Sequence, residues 1–242
     1  MDFDLTDAQR MIRDMAREFA ENEVRPLAAE IDRTDEFPWK LFTRMGELGL
    51  LGMTLPEEYG GSGADTVSWS LVEEELARAS AAVADAQLLS KLMGDMIFRN
   101  GTEAQRRKYL PSLARGEKIC AIAQTEPGTG SDVASIQTTA RRERGGYVLN
   151  GTKRFITAAG VCQMAIVVAT VDRAKGRRGI TLFIVEEGTQ GFSRGSKDSL
   201  MGVRGLATGE LVFEDCFVPE ENRLGPEGEG FKLAMISLDS GR

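Results

Sequence analysis

The hydrophobic pattern of this chain changes its period once, close to residue 117. Before that point apolar residues recur at helical spacing, as in Met11, Ile12, Met15 and Phe19. After it, short apolar runs are separated by glycine-rich turns, the pattern of β-strands. Helices followed by strands, without alternation, indicate an α+β multidomain fold. We therefore predict an all-α domain (1–117), an all-β barrel or sandwich domain (118–226), and the start of a C-terminal helix (227–242).

The helical half carries recognisable start signals. Thr6 with Gln9, and Thr102 with Gln105, have the spacing of a capping box. Pro26 predicts a bend or break. In the third predicted helix residues 73–75 are expected to face solvent. The fourth, residues 81–98, is apolar around much of its circumference and is expected to be central. The strands are predicted at 119–125, 135–142, 147–150, 154–157, 164–171, 180–186 and 210–217.

Composition excludes several classes of function. A net charge of −7 disfavours nucleic acid as the main partner, although the negative excess lies in residues 1–117. The chain has no histidine and its three cysteines lack metal-binding spacing, so no metal site and no histidine-based triad is expected. Neither a signal peptide nor a run of about 18 apolar residues is seen, so we expect no membrane segment and a cytoplasmic location.

Residues 122–133 (IAQTEPGTGSDV) form the most unusual stretch of the β half. An apolar run ends in a polar turn that holds two glycines, two hydroxyls and two carboxylates. Such a turn presents backbone N–H groups in a concave array, and glycine allows a ligand to come close. It is neither G-x-G-x-x-G nor a Walker motif, and Pro-Gly and Gly-Ser turns are also common between ordinary strands. Residues alone therefore leave a binding site and a simple turn both open.

Several motifs, in this order, resemble the acyl-CoA dehydrogenase family, and the resemblance covers essentially the whole chain. The segments that carry it are 55–61 (LPEEYGG), 124–133 (QTEPGTGSDV), 149–157 (LNGTKRFIT), 213–219 (FEDCFVP), 228–231 (GEGF) and 238–242 (LDSGR). Segment 124–133 resembles the family's flavin-loop signature, and segment 149–157 resembles the strand behind the flavin. Many family members have tryptophan where Phe155 stands.

The resemblance implies FAD as the cofactor. The implied cofactor-binding residues are Ile122, Ala123, Gln124, Thr125, Gly130, Ser131, Phe155, Ile156 and Thr157. The implied substrate-binding residues, which contact acyl-CoA, are Ser131, Lys175, Asp239 and Arg242. Lys175 belongs to a basic loop that could equally be a solvated hairpin tip. Asp239 and Arg242 could equally form a simple i,i+3 ion pair.

By the same resemblance, the reaction is α,β-dehydrogenation of an acyl-CoA to a trans-2-enoyl-CoA, as in fatty acid metabolism. A glutamate removes the α-proton in this family, either from a C-terminal helical domain or from the position that Gly241 occupies here. The catalytic base is therefore unknown, and the chain is expected to be truncated, or to need a partner, and to be inactive as an isolated fragment. The expected partners are electron-transfer flavoprotein as electron acceptor and further copies of the chain, as a tetramer or dimer.

Two alternatives stay open at this point. The chain could be a non-catalytic or half-enzyme subunit that supplies a flavin site to another chain, or an acyl-CoA oxidase or flavin monooxygenase of the same fold. The acyl pocket is expected on the third and fourth helices. The fourth helix has three polar interruptions, Asp85, Lys91 and Asp95. Lys91 and Asp95 are predicted to form a surface ion pair, or one of them reaches the acyl tail and indicates a polar or short substrate.

Overall fold

A computed structural model describes residues 4–240 of the chain. Its first half is helical and its second half is built from strands, so the predicted fold class is confirmed. The helices are α1 (Asp7–Phe19), α2 (Arg25–Thr34), α3 (Trp39–Glu47), α4 (Thr66–Ala79), α5 (Ala81–Asn100), α6 (Glu103–Ala114) and α7 (Gly230–Ser240). The exact division at 117 and 226 stays a prediction.

The predicted helix starts are built as the sequence suggests. The Thr6 hydroxyl accepts from the Gln9 backbone N–H and the Gln9 side chain accepts from the Thr6 N–H, which completes the capping box. Thr102 and Gln105 repeat the arrangement at α6. Pro26 does not break the helix, because it lies in the first turn of α2, which a π-helical turn joins to α1.

The strands form one eight-stranded, mostly antiparallel sheet. They are β1 (Cys120–Ala123), β2 (Thr139–Glu143), β3 (Gly146–Ile156), β4 (Met164–Thr170), β5 (Ile180–Glu186), β6 (Phe192–Lys197), β7 (Gly209–Pro219) and β8 (Arg223–Leu224). Their order is β6-β7-β3-β2-β4-β5-β8, and β1 pairs with β4 in parallel. Sequence reasoning missed β6, whose residues are mostly exposed and polar, and the two-residue β8.

Two predicted strands, 147–150 and 154–157, are one long strand, β3. The Asn150-Gly151 pair between them has the composition of a turn, but β3 continues through it with a register shift against β7. Gly151 serves close packing instead. A Cβ placed on it would lie 2.4 Å from Thr138 Oγ1. The glycine therefore permits contact between β3 and the segment before β2 rather than a turn.

Helix α5 is central, and the charges predicted at its surface are buried. The Lys91 side chain is 5% exposed, its ammonium lies 3.3 Å from Asp95, and it also lies over the Trp69 ring. The predicted ion pair therefore forms, but its predicted position at the surface is wrong. Glu75 of α4 is buried too and binds Arg17 at 2.6 Å, and Glu73 is half-buried, so of residues 73–75 only Glu74 faces solvent. The neighbouring helices cover these positions.

Gly46 of α3 lies against the end of α6. This contact gives a first test. A Cβ at Gly46 would lie 2.2 Å from the Arg115 carbonyl oxygen. We expect Gly46→Ala to destabilise the protein by about 1–3 kcal/mol in urea unfolding, although alanine in a helix normally stabilises by roughly 1 kcal/mol. Gly202→Ala, whose Cβ meets nothing within 4 Å, is the control. An increase in stability for Gly46→Ala would contradict this packing.

Candidate functional site

A cleft of about 220 Å³ lies where helix α5 faces the ends of strands β1 and β3. Six of the predicted cofactor-binding residues line it: Ile122, Gln124, Thr125, Phe155, Ile156 and Thr157. The opposite wall consists of Asp85, Leu88, Leu89 and Leu92 of α5, with Leu238 of α7. Two segments that are about 30 residues apart in sequence thus form one wall.

The loop after β1 is shaped by its own backbone. The N–H groups of Glu126 and Thr129 each donate to the carbonyl of the other, at 2.9 and 3.1 Å, and so close a tight turn around Pro127 and Gly128. A Cβ on Gly128 or Gly130 would meet nothing within 4 Å, so the outer side of the turn is open space. Close packing therefore does not require glycine at either position.

A buried ion pair fastens this loop to β3. The Lys153 ammonium, which is fully buried, donates to Glu126 Oε1 at 2.8 Å and to the Gln124 carbonyl at 3.0 Å. Glu126 also accepts from the backbone N–H groups of Gln137 and Thr138, at 2.6 and 2.9 Å. Four hydrogen bonds thus satisfy two charges that are out of contact with water.

The two charges of this pair affect each other's pKa. Burial lowers the pKa of Lys153 to about 8, although the negative charge of Glu126 opposes this. Burial alone would raise the pKa of Glu126, but the Lys153 charge holds it below its ordinary value. Both groups are therefore ionised at neutral pH, and the pair is a charged clamp between the loop and the strand.

Phe155 has the most unusual conformation in the cleft wall. Its φ is +57°, a left-handed value that is rare for an aromatic residue and costs of the order of 1 kcal/mol or more. Its ring is 58% exposed, and the Arg154 guanidinium lies 5.2 Å from the ring centroid. The β3–β7 pairing shifts register between Lys153 and Ile156, which aims Phe155 outward. A strained, exposed aromatic ring in a cleft indicates a surface built for a ligand.

A backbone hydrogen bond joins the two segments of the wall, and one buried acceptor in the wall has no partner. The Arg154 backbone N–H donates to the Thr125 carbonyl at 2.8 Å, so Thr125 is held beside Phe155. Gln124 Oε1 is buried and accepts no hydrogen bond from any residue in the described range. A buried acceptor in a cleft wall usually has a partner. This wall therefore suits a planar ligand that carries hydrogen-bond donors.

Three of the predicted cofactor residues do not line the cleft. Ala123 is fully buried in β1, because successive strand residues point to opposite faces and Ile122 and Gln124 take the cleft side. Gly130 and Ser131 are exposed and do not line the cleft. Their cofactor and substrate roles remain predictions.

Two of the predicted substrate residues, Lys175 and Asp239, lie outside the cleft. Lys175 is exposed beside Asp172, 3.5 Å away, and lines a separate groove with Arg177, Arg178 and Phe231. Asp239 lines a third depression, with Lys91 and Asp95. The structure does not bring these residues together with the cleft wall. Gly241 and Arg242 lie outside the described residues.

The α5 wall was only partly predicted. Helix α5 was expected to form the acyl pocket together with α4, yet α4 contributes no residue to this cleft. The signal for the α5 residues is their spacing, since positions 85, 88, 89 and 92 share one helix face. Behind this wall Glu73 Oε1 is buried without a hydrogen-bond partner among the described residues. Burial, followed by the charge of Asp85, raises the Glu73 pKa to about 8.

Comparison with known proteins decides the family. Residues 6–117 match the family described as Acyl-CoA dehydrogenase, N-terminal domain, and residues 121–216 match Acyl-CoA dehydrogenase, middle domain. The chain belongs to the acyl-CoA dehydrogenase family. The resemblance drawn from the sequence motifs is therefore confirmed.

Individual acyl-CoA dehydrogenases are similar over the whole chain. The short-chain specific enzyme of Clostridium acetobutylicum is 47% identical over 100% of this chain and 64% of its own length. The structure of butyryl-CoA dehydrogenase from Megasphaera elsdenii has a TM-score of 0.95 and 43% identity, again over 100% of this chain and 64% of its own. An FAD complex of PigA has a TM-score of 0.93 and 30% identity, covering 98% of this chain and 63% of its own. The chain thus spans less than two thirds of the length of these relatives.

Within residues 4–240 no group of His, Cys, Asp or Glu side chains is arranged to hold a metal ion. In the same range no helix is long and apolar enough to cross a membrane. The three cysteines are buried and unpaired.

The Lys153–Glu126 pair predicts a large and non-additive effect on stability. Lys153→Met leaves Glu126 buried without its cation and should lower the free energy of unfolding by roughly 3–5 kcal/mol. Adding Glu126→Gln should recover part of the loss, because the remaining side chain is then neutral. Lys232→Met, which removes an exposed pair with Glu229, should cost about 1 kcal/mol or less. Additive losses in urea unfolding would contradict a coupled clamp.

Glu73 predicts a specific pH dependence of stability. Its pKa is 4.5 when unfolded and about 8 in the folded protein, so the folded state retains a proton that the unfolded state releases. The contribution of Glu73 to the free energy of unfolding therefore falls as pH rises from 4.5 towards 8. Glu73→Gln should flatten this part of the stability profile, whereas Glu74→Gln, at the exposed neighbouring position, should not. Parallel profiles for the original protein and Glu73→Gln would show that this carboxyl does not retain its proton.

Proposed function

We propose that this chain binds FAD in the cleft and serves the FAD-dependent α,β-dehydrogenation of an acyl-CoA thioester. The observation that carries the proposal is the convergence of Thr125, Phe155 and Thr157 from two motifs on one wall. The strained, exposed ring of Phe155 and the unused acceptor of Gln124 fit a planar cofactor that carries hydrogen-bond donors. Bound there, FAD would supply the acceptor for the hydride that leaves the β-carbon of the substrate.

The residues of the chain would hold the cofactor in different ways. Phe155 and Ile156 offer apolar surface, while the hydroxyls of Thr125 and Thr157 can donate to polar edges of a flavin. Donors fixed on a rigid wall stabilise negative charge that develops during a reaction, because they need no reorganisation. The Glu126–Lys153 clamp provides that rigidity. The α5 leucines would exclude water from the space between the two walls.

The substrate contacts remain proposals that the separate grooves support only in part. The exposed cations of Lys175, Arg177 and Arg178 suit a phosphorylated ligand such as CoA. Ser131, Asp239 and Arg242 keep their proposed substrate roles from the family motif. The base that removes the α-proton is not assigned. Gly241, which stands where some relatives carry it, has no side chain to accept a proton.

A dehydrogenase activity is favoured over an oxidase activity by the sequence identity of this chain to its relatives. Relatives named acyl-CoA dehydrogenase reach 47% identity, whereas the prolyl acyl carrier protein oxidase AnaB is 30% identical. An electron-transfer flavoprotein is the proposed electron acceptor, since a structure described as the electron transferring flavoprotein of Acidaminococcus fermentans is similar to this chain, with a TM-score of 0.96. A homo-oligomer is proposed on the family resemblance alone, and the cytoplasmic location stays a prediction from the sequence.

Substrate recognition is tested by the visible spectrum of the flavin-loaded protein. Under anaerobic conditions butyryl-CoA should perturb or bleach the flavin band, whereas free CoA should leave it nearly unchanged. Bleaching would report dehydrogenation, and perturbation alone would report binding beside the flavin. The same spectrum with and without butyryl-CoA would contradict the proposed function.

The role of Phe155 in cofactor binding is tested by substitution. Phe155→Ala removes the ring that would pack against the flavin and should weaken FAD binding about tenfold, or roughly 1.4 kcal/mol. Titration followed by the quenching of flavin fluorescence measures the affinity. Phe217→Ala, which removes an exposed ring on β7, should bind FAD as the original protein does. Equal dissociation constants for the two variants would exclude Phe155 from the cofactor site.

A further inference from the structure

The α5 wall of the cleft carries one charge among apolar residues. Positions 85, 88, 89 and 92 follow the i, i+3, i+4, i+7 spacing of one helix face, and all four residues line the cleft. Three of them are leucines, and the fourth, Asp85, is a carboxylate in the second turn of the helix. A cleft that served only a saturated hydrocarbon chain would gain affinity from a fourth apolar residue at this position.

Asp85 is only partly exposed, and no partner neutralises it. No hydrogen-bond donor or cation in residues 4–240 pairs with its carboxylate, and burial raises its pKa. The neighbouring Glu73 is a second carboxyl whose pKa burial raises to about 8, so it supplies no positive charge. Lys91, the nearby cation of the same helix, is already bound to Asp95 at 3.3 Å. The hydrogen-bonding capacity of Asp85 is therefore directed to whatever enters the cleft.

The opposite wall defines what would meet Asp85. Under the proposed function, on which this inference rests, Thr125, Phe155 and Thr157 face the flavin. An acyl group would then extend along the α5 face, over the leucines, with Asp85 at one end of the row. We propose that Asp85 is a specificity-determining residue, and that the cleft prefers acyl groups whose distal end carries a hydrogen-bond donor, such as a hydroxyl group.

The physical basis is the difference between three kinds of acyl end. An apolar end that reached Asp85 would exclude water from the carboxylate without replacing its hydrogen bonds. A carboxylate end would be repelled by Asp85. A hydroxyl end would donate a hydrogen bond to Asp85, which replaces hydrogen bonds that the two groups lose to water. Sites that leave a buried polar group unpaired discriminate strongly against the ligand that lacks the matching group.

The test compares matched pairs of ligands on the flavin-loaded protein. Straight-chain acyl-CoAs of about four to eight carbons and their ω-hydroxy counterparts would be titrated by calorimetry, which needs no turnover. At the lengths that reach Asp85, we expect the ω-hydroxy ligand to bind about tenfold more tightly than the plain acyl-CoA. Asp85→Leu should reverse this preference. Asp85→Asn, which keeps a hydrogen-bonding group, should retain part of it.

Glu74→Leu provides the control, because it also replaces a carboxylate with leucine but at an exposed position outside the cleft. Its ratio of affinities for the two ligands should equal that of the original protein. If Asp85→Leu leaves that ratio within about twofold at every chain length, Asp85 does not set specificity and this inference is overturned alone. If no acyl-CoA of either series binds the flavin-loaded original protein, the proposed function falls, and this inference falls with it.

Discussion

A lysine and a glutamate buried together inside the sheet hold the candidate site in place. Removing two charges from water is expensive, and their attraction compensates only when geometry and further hydrogen bonds are good. Here Lys153 and Glu126 share four hydrogen bonds with each other, the Gln124 carbonyl and two backbone N–H groups. The pair joins the loop after β1 to the middle of β3. The polar groups of the proposed flavin wall, Gln124, Thr125 and Thr157, belong to that loop or directly follow β3.

The strain at Phe155 is compatible with stability because Arg154, the residue before it, is held firmly. The Arg154 backbone binds Thr125, and its guanidinium binds Glu210 at 2.7 Å and Asp198 at 3.0 Å. With Lys153 fixed on one side and Ile156 buried on the other, the chain between them has little freedom. Phe155 therefore keeps a left-handed conformation that an isolated strand would avoid. Strain retained by its surroundings is typical of ligand-binding positions.

The sequence predicted the features that depend on local chemistry. The change of period placed the helices and most strands, and capping boxes placed the starts of α1 and α6. The cofactor residues near the cleft were found through two motifs. Ala123 was predicted to bind the cofactor like its neighbours, although the alternation of side chains along a strand would have assigned it to the opposite face.

Features that depend on packing between distant segments could not be predicted. An i,i+4 Lys-Asp pair looks the same in sequence whether a helix face is exposed or covered, so the burial of Lys91 and Asp95 had no local signal. Asn150-Gly151 has the composition of a turn, and only the approach of Thr138 explains the glycine. Asp85 was noticed as polar, but its place in the cleft depends on how α5 meets the sheet.

The central claim is that the clamp between the β1 loop and β3 presents one wall to a flavin. The most direct measurement is a crystal structure of the protein grown with FAD. We predict that the isoalloxazine ring contacts both Thr125 and Phe155, with the Lys153–Glu126 pair intact beneath it. A flavin bound away from these two residues, or a ring that touches Phe155 while the β1 loop has moved off β3, would contradict the account.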